Sequence, residues 1–181
     1  MRVTGGLYKG RKIMCPPGVI RPAMDRMRES LFSILGNLQG CSFLDLFSGS
    51  GVVGIEAASR GACPVVLVEM DRRKKGVIEK NMAFVETEIN LYAMPAERFI
   101  RLAGKAGRRF DFTYLDPPFN KRNKEGLIRD AAKYSLPSQG GMIILHHPTA
   151  ESYPEEVEGL KITDIRRYGG STLTFYISPT D

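Results

Sequence analysis

From residue 42 onward, short apolar stretches alternate with segments of helical character, which argues for a parallel sheet with helices between its strands. Gly169-Gly170 lies between two later apolar stretches and is a signal for a hairpin turn. We therefore predict an α/β fold whose ligands bind at the carboxyl ends of the strands. The predicted strands lie near 42–47, 64–69, 88–93, 111–116, 140–146, 160–168 and 171–178, and the predicted helices near 51–60, 71–84, 95–104 and 124–134.

The tetrapeptide Asp116-Pro117-Pro118-Phe119 directly follows one predicted strand. Proline has no backbone N–H to donate, so the strand must end here, and the residue before each proline is forced into extended geometry. The Asp116 carboxylate and the Pro117 carbonyl then become two fixed acceptors, with the aromatic face of Phe119 two residues later. A planar group carrying an –NH2 fits this arrangement, because its two N–H bonds meet two acceptors while its ring stacks. Taken alone, the stretch also fits a plain strand-terminating turn with an incidental acid.

Residues 43–54 read as an apolar strand, a loop of small residues and the start of a helix. Gly49, Gly51 and Gly54 spell G-x-G-x-x-G, and Glu69 ends the next strand at the distance typical of a dinucleotide fingerprint. Asp45 argues against that cofactor, because a carboxylate beside a bound pyrophosphate is unfavourable. An ammonium group would be favoured there instead. S-adenosyl-L-methionine carries an ammonium, a ribose and an adenine without phosphate, and Glu69 is placed to accept the ribose hydroxyls.

With these motifs in this order, the sequence resembles the class I adenosylmethionine-dependent methyltransferases that modify exocyclic amines of bases. Three further segments, 2–12, 21–32 and 167–173, are similar to those of the bacterial RsmD-type 16S ribosomal RNA guanine-N2 methyltransferases. The likeness extends over nearly the whole chain. It implies a Rossmann-like methyltransferase with a seven-stranded, mostly parallel sheet, a C-terminal antiparallel hairpin and a small N-terminal basic hairpin and helix. It also implies methyl transfer to the exocyclic N2 amine of a guanine in 16S ribosomal RNA.

The resemblance also assigns roles to residues. Asp116, Pro117 and Phe119 are expected to be catalytic. The chain departs from the family's pattern at Ala23, where Thr is usual, and at Pro95 and His146, where acids are usual. Adenine contact is then expected from the Ala96 backbone with Glu97. The expected cofactor-binding residues are Asp45, Phe47, Ser48, Gly49, Ser50, Gly51, Glu69, Met70, Ala96, Glu97 and Asp116.

Positive charge is concentrated at the N-terminus. The net charge of the chain is +6. Residues 1–40 contain seven basic and two acidic side chains and therefore contribute +5 of it. We predict a hairpin over 1–14 and a helix from Asp25 to about Leu35, together forming an RNA-binding extension, 1–40, ahead of a methyltransferase domain, 41–181. Phosphate contact is favoured for this extension and for the loop 121–124, whereas the basic cluster 98–109 fits a solvated surface. The expected substrate-binding residues are Arg2, Tyr8, Arg11, Lys12, Arg21, Arg26, Arg28, Phe119, Lys121 and Arg122, although Tyr8 equally fits turn packing.

Composition narrows the classes of protein to which the chain can belong. The chain lacks an apolar run of about 18 residues, its first residues are polar, and its three cysteines are too few for a disulfide framework or a zinc site. Adjacent His146 and His147 should point to opposite faces of a strand, so a metal is not expected. We expect a cytoplasmic monomer that acts on ribosomal RNA, free or within an assembling small subunit. The alternatives are an adenine-N6 or cytosine-N4 methyltransferase acting on DNA or RNA, a nicotinamide-dependent oxidoreductase, and a non-catalytic nucleic-acid-binding protein.

Overall fold

The computed structural model describes residues 1–15 and 23–180, apart from the side chains of Ala23 and Met24. The chain divides into two compact units, Met1–Met94 and Pro95–Asp181. Each unit has its own strands and helices. The predicted boundary between 1–40 and 41–181 separates two expected functions and not two compact units, and it stays a prediction. Across the described residues, the helices are all too short or too polar to cross a membrane.

The first unit contains three neighbouring parallel strands in the order β3 (Ile89–Tyr92), β2 (Val65–Val68) and β1 (Phe43–Leu46). Phe43 pairs with Val65 and Val65 with Ile89. Every residue of β1 and β2 is buried, as expected for parallel strands covered on both faces. The elements, in chain order, are α1 (Ala23–Leu35), β1 (Phe43–Leu46), α2 (Val52–Ser59), β2 (Val65–Val68), a 3-10 helix (Arg72–Lys74), α3 (Lys75–Met82) and β3 (Ile89–Tyr92).

The N-terminal residues form the predicted hairpin. Arg2 and Lys12 make an antiparallel bridge, and the Ile13 N–H donates to the Met1 carbonyl at 3.0 Å. The inner side chains of this hairpin pack against α2. Gly6 approaches that helix so closely that a Cβ would lie 1.9 Å from the carbonyl oxygen of Ser59. The buried apolar cluster that results contains Val3, Tyr8, Ile13, Val52 and Ile55.

The second unit combines a parallel strand pair with an antiparallel extension, in the order β4 (Phe110–Leu115), β5 (Pro137–Pro148), β8 (Ser171–Ile177), β7 (Leu160–Tyr168) and β6 (Glu156–Val157). β4 runs parallel to β5, and the remaining neighbours are antiparallel. Gly169 and Gly170 form the turn between β7 and β8, as predicted. The elements are α4 (Ala96–Lys105), β4 (Phe110–Leu115), α5 (Lys124–Lys133), β5 (Pro137–Pro148), β6 (Glu156–Val157), β7 (Leu160–Tyr168) and β8 (Ser171–Ile177).

The predicted α/β fold is confirmed, with two differences. β5 begins at Pro137 rather than near residue 140, because its pairing with β4 shifts register between Phe110 and Phe112. Gly140 lies at this irregularity with a φ of +66° and interrupts the apolar pattern. The described residues also contain eight strands rather than seven. The additional strand, β6, is two residues long and therefore too short to show a periodicity in the sequence.

Candidate active site and cofactor-binding loop

The loop after β1 is built around the buried carboxylate of Asp45. Its Oδ2 accepts a hydrogen bond from the Gly54 N–H at 3.1 Å, near the amino end of α2, where the helix dipole favours negative charge. Gly54 lets α2 approach β2, because a Cβ there would lie 2.1 Å from a methyl carbon of Leu67. The third glycine of the motif therefore has a packing role. Asp45 places a negative charge where a pyrophosphate would need a positive one.

Glycines and one serine set the path of this loop. Gly49 and Gly51 have φ values of +59° and +80°, and Phe47 also lies in the left-handed region at +68°. The Ser48 hydroxyl donates to the Asp45 carbonyl at 2.7 Å and accepts from the Val68 N–H at 3.0 Å. The side chain of Ser48 thus ties the loop to the end of β2. The Ser50 carbonyl accepts from Asn81 at 2.9 Å, which ties the loop to α3.

Glu69 directly follows β2 and is largely buried. One carboxylate oxygen accepts from the Gly49 N–H at 2.9 Å, and the other accepts from the Asp71 N–H at 2.9 Å. Lys74 lies 3.5 Å from the first of these oxygens. The structure therefore fixes the orientation of this acid, and a carboxylate has further lone pairs to offer a hydroxyl group. The next residue, Met70, is exposed.

In the second unit, β4 ends at Leu115, so the prolines stop the strand as predicted. Asp116 follows at once, and its side chain is 25% exposed. Its Oδ1 lies 2.7 Å from Nδ1 of His146, which stands near the end of β5. The Phe119 ring meets the His146 ring edge to face, with the centroids 5.3 Å apart. The predicted catalytic acid and aromatic side chain therefore both contact one histidine.

Two predicted site residues, one at the start of α4 and one in the loop after Phe119, are paired with each other. Ala96 is buried in the first turn of α4, and Glu97 beside it accepts from Lys121 at 2.6 Å. Burial acts to raise the pKa of Glu97, but the hydrogen bond from Lys121, a hydrogen bond from the Glu97 N–H and the charge of Lys121 together hold the pKa below its ordinary value. Arg122, which follows Lys121, is exposed.

Lys124, which the sequence grouped with the phosphate-binding loop, is buried instead, and that prediction is wrong. Its ammonium donates to the Phe119 carbonyl at 2.8 Å and to Glu151 at 2.5 Å. Glu151 also accepts from the Tyr153 hydroxyl at 2.5 Å. Burial would raise the pKa of Glu151, yet these hydrogen bonds lower it. Together with Phe119, these residues line an open depression of about 570 Å³.

The predicted RNA-binding residues of the N-terminal extension divide into two groups. Exposed side chains belong to Arg2, Arg11, Lys12 and Arg26, whereas Arg21 lies outside the described residues. Tyr8 is buried: its ring packs edge to face on Phe84, 5.4 Å between centroids, and its hydroxyl accepts from the Glu86 N–H. The structure therefore contradicts the expectation that Tyr8 stacks on RNA.

Arg28, like Tyr8, was expected to bind RNA, and the structure corrects that prediction. Arg28 is buried and donates to Glu56 at 2.8 Å and to the Arg2 carbonyl at 2.7 Å, with Asp25 at 3.0 Å. These contacts occupy its guanidinium inside the first unit, so the expected contact with RNA is not supported.

Glu56 was not predicted from the sequence. This acid of α2 is fully buried and accepts from Thr4, Arg28 and Arg60. Burial acts to raise its pKa, but the hydrogen bonds from these three residues outweigh burial and lower it. The available signal was the spacing of Glu56 and Arg60, four residues apart on the helix predicted over 51–60. Because Thr4 belongs to the hairpin, this buried cluster attaches the hairpin to α2.

Comparison with known proteins identifies the family. The family model described as Conserved hypothetical protein 95 matches residues 1–177. YlbH of Bacillus subtilis, provisionally named an rRNA methyltransferase, is 32% identical over 180 residues, covering 97% of this chain and 98% of YlbH. Ribosomal RNA small subunit methyltransferase D of Escherichia coli K12 is 38% identical over 124 residues, covering 67% and 61% of the two chains.

Solved structures agree with the family match. A hypothetical protein of Thermus thermophilus is 31% identical with a TM-score of 0.84, covering 97% of this chain and 98% of that one. The Escherichia coli structure provisionally named methyltransferase yhhF is 26% identical with a TM-score of 0.85, covering 100% and 99%. The α/β fold with acids at its strand ends is thus that of a methyltransferase. More narrowly, the chain belongs to the Conserved hypothetical protein 95 family, and the resemblance to RsmD-type enzymes is confirmed.

Proposed function

We propose that this protein transfers a methyl group from S-adenosyl-L-methionine to the exocyclic N2 amine of a guanine in 16S ribosomal RNA. The observation that carries the proposal is the arrangement after β4. There, a partly exposed carboxylate, Asp116, precedes two prolines and an aromatic ring, Phe119. The names of the relatives, which include a ribosomal RNA small subunit methyltransferase, supply the substrate class.

The chemistry of the groups around the glycine loop fits the cofactor. A buried carboxylate at Asp45 suits an ammonium group, and the oriented carboxylate of Glu69 suits ribose hydroxyls. The Ala96 backbone and Glu97 are proposed to contact adenine. When bound, the cofactor supplies a methyl group already activated by its sulfonium centre. A pyrophosphate fits less well, because Asp45 would repel it.

The chain's own residues have to make a poor nucleophile reactive. The lone pair of an exocyclic amine is delocalised into its ring, which weakens its attack. Hydrogen bonds from the amine to Asp116 and to the Pro117 carbonyl favour a pyramidal nitrogen with a free lone pair. The Asp116 carboxylate then stabilises the positive charge that develops on that nitrogen during transfer. Phe119 stacks against the base, which must leave its helical stack to be reached.

RNA binding is assigned to the exposed basic side chains. Arg2, Arg11, Lys12 and Arg26 belong to the N-terminal extension, and Arg122 to the loop after Phe119. Such side chains bind phosphates without reading sequence, so they supply affinity and salt dependence. Lys124, Arg28 and Tyr8 are left out of this set because all three are buried.

Two measurements test the proposal. Calorimetry should show binding of S-adenosyl-L-methionine and no preference for nicotinamide cofactors, and Asp45→Ala should weaken binding by about 1.5–3 kcal/mol. Transfer of labelled methyl groups to 16S ribosomal RNA, offered free or within small subunits, should then yield N2-methylguanosine on nucleoside analysis. N6-methyladenosine or N4-methylcytidine would favour the alternative amine targets. Binding of NAD without binding of S-adenosyl-L-methionine would exclude a methyltransferase.

A further inference from the structure

His146 occupies a position that stability alone does not explain. The pairing of Leu115 with Leu145 places Asp116 and His146 one step further along two neighbouring strands. The imidazole is buried, with 3% of the residue exposed. Its Nε2 is buried and has no hydrogen-bond partner among the described residues. A buried polar atom without a partner is unfavourable and calls for an explanation.

The other ring nitrogen supplies that explanation. An ionised carboxylate can only accept, so Nδ1 of His146 carries the proton and donates to Oδ1 of Asp116 over 2.7 Å. The same ring contacts Phe119 edge to face. One side chain therefore touches the acid and the aromatic ring proposed to receive the base, and the unsatisfied Nε2 is the cost of this arrangement.

His147, the adjacent residue, shows what a structural histidine looks like in this strand. Its Nδ1 donates to the Pro148 carbonyl at 2.8 Å, and its Nε2 accepts from the Thr174 hydroxyl at 2.8 Å. Its ring packs against Tyr153, with the centroids 4.7 Å apart. Both nitrogens of His147 are satisfied by groups other than Asp116, which makes His147 a matched control for the loss of a buried imidazole.

We propose that His146 is a positioning residue for methyl transfer: it fixes Oδ1 of Asp116, leaves Oδ2 for the substrate amine, and supports the ring of Phe119. This inference rests on the proposed function. A role in positioning Asp116 can be told apart from a role in stabilising the fold. An apolar residue in place of His146 removes a buried nitrogen that has no hydrogen-bond partner, so it should not destabilise the protein.

The first test compares the kinetics and melting temperatures of three variants. His146→Leu should lower kcat about 10- to 100-fold, with KM for RNA and cofactor affinity within about threefold, since a hydrogen bond to a charged group is removed. Its melting temperature should stay the same or rise. His146→Asn retains an N–H donor near the Nδ1 position and should recover most of kcat. His147→Leu should lower the melting temperature and leave kcat unchanged. A His146→Leu variant with wild-type kcat, or one that loses activity only by unfolding, would overturn the inference.

A second readout does not depend on activity. The chain has only two histidines, so 15N imidazole spectra of the whole protein can be assigned from the two leucine variants. The His146 Nδ1–H signal should show a hydrogen bond that disappears in Asp116→Ala and persists in His147→Leu. An Nε2–H tautomer of His146 would overturn the inference even if the protein methylates RNA. Failure of the wild-type protein to methylate guanine would instead count against the proposed function, with these spectra still deciding whether His146 holds Asp116.

Discussion

Two acids of this chain illustrate how surroundings separate function from stability at the scale of single residues. Glu56 is fully buried and receives hydrogen bonds from Thr4, Arg28 and Arg60, so its charge is fully engaged inside the first unit. Asp116 is partly exposed and is held on one oxygen by His146. Asp116 therefore keeps an oxygen for a ligand, whereas Glu56, whose oxygens are engaged by Thr4, Arg28 and Arg60, stabilises the fold.

Replacement of Asp116 by alanine should therefore remove activity without unfolding the protein. We expect kcat to fall on the order of 10²–10³-fold, as for the loss of one group that stabilises transition-state charge. The protein should stay folded, because the acid follows the end of a strand, although the buried Nδ1 of His146 loses its acceptor at a cost of about 1–3 kcal/mol. Single-turnover methylation and thermal denaturation of the same preparation check both points. A folded variant with near wild-type transfer would exclude Asp116 from the chemistry.

Glu56 should instead affect stability, in a manner that depends on pH. Its folded-state pKa is lowered from an ordinary value of 4.5, so its stabilising contribution is present above that value and is lost as the pH falls through the folded-state pKa. Glu56→Gln removes the buried charge partner of Arg28, leaving only the exposed Asp25 beside it, and should cost about 3–5 kcal/mol of unfolding free energy near pH 7. Urea denaturation should show this difference shrinking as the pH is lowered below 4.5. A difference that does not change with pH would contradict the assigned role.

At the scale of elements, two segments are fixed by buried polar contacts. The hairpin over 1–14 is held on α2 through Thr4 and Glu56, with the Leu7 N–H donating to the Ser59 carbonyl at 2.7 Å. The turn after β4 is held by Lys124, which reaches back to the Phe119 carbonyl. Both anchors keep exposed side chains of these segments in defined places.

Lys124→Met should loosen the turn that carries Phe119. The variant keeps the aliphatic stem but removes the donor to Phe119 and Glu151, at a cost of about 1–3 kcal/mol. Because Glu151 is partly exposed, water can solvate it once Lys124 is gone. We expect a raised KM for RNA and unchanged cofactor affinity, measured by steady-state kinetics and calorimetry. The exposed Lys133, on the same helix, provides the control: Lys133→Met should change neither quantity.

The hairpin surface should carry RNA affinity. Replacing Arg11 and Lys12 by glutamine should weaken RNA binding and reduce the log–log salt slope by roughly 0.7–0.9 for each phosphate that is no longer bound. Cofactor affinity should be unchanged. The double variant of Arg101 and Lys105, on α4, removes the same charge from the cluster expected to be solvated and should leave the slope unaltered. Equal effects of the two double variants would show that net charge, and not the hairpin, governs binding.

At the scale of the whole molecule, local signals in the sequence predicted the α/β alternation and the positions of the strand-end acids, whereas the resemblance to RsmD-type enzymes supplied the sheet topology and the residue roles. Local patterns show the glycine loop, Asp45 near the end of β1, Glu69 directly after β2 and the proline stop after β4, because each is set by a few neighbouring residues. What the sequence could not reveal are contacts between distant residues. Arg28 with Glu56, Lys124 with Glu151 and His146 with Asp116 are 28, 27 and 30 residues apart.

Those distant contacts also account for the errors in the predicted site. Arg28, Lys124 and Tyr8 were grouped with RNA-binding residues because of their type and their neighbours in the chain. The structure buries all three, since each has a partner that lies far away in sequence. A basic or aromatic residue in such a cluster can therefore be assigned to a nucleic-acid surface only if its side chain is exposed.

The most direct test of the central claim is the methylation state of guanine in 16S ribosomal RNA from cells that lack this protein. Nucleoside mass spectrometry and primer extension should show one N2-methylguanosine missing in those cells. Expression of the wild-type protein should restore it, and Asp116→Ala, expressed at the same level, should not. An unchanged N2-methylguanosine content in the deletion cells, or its restoration by Asp116→Ala, would contradict the account.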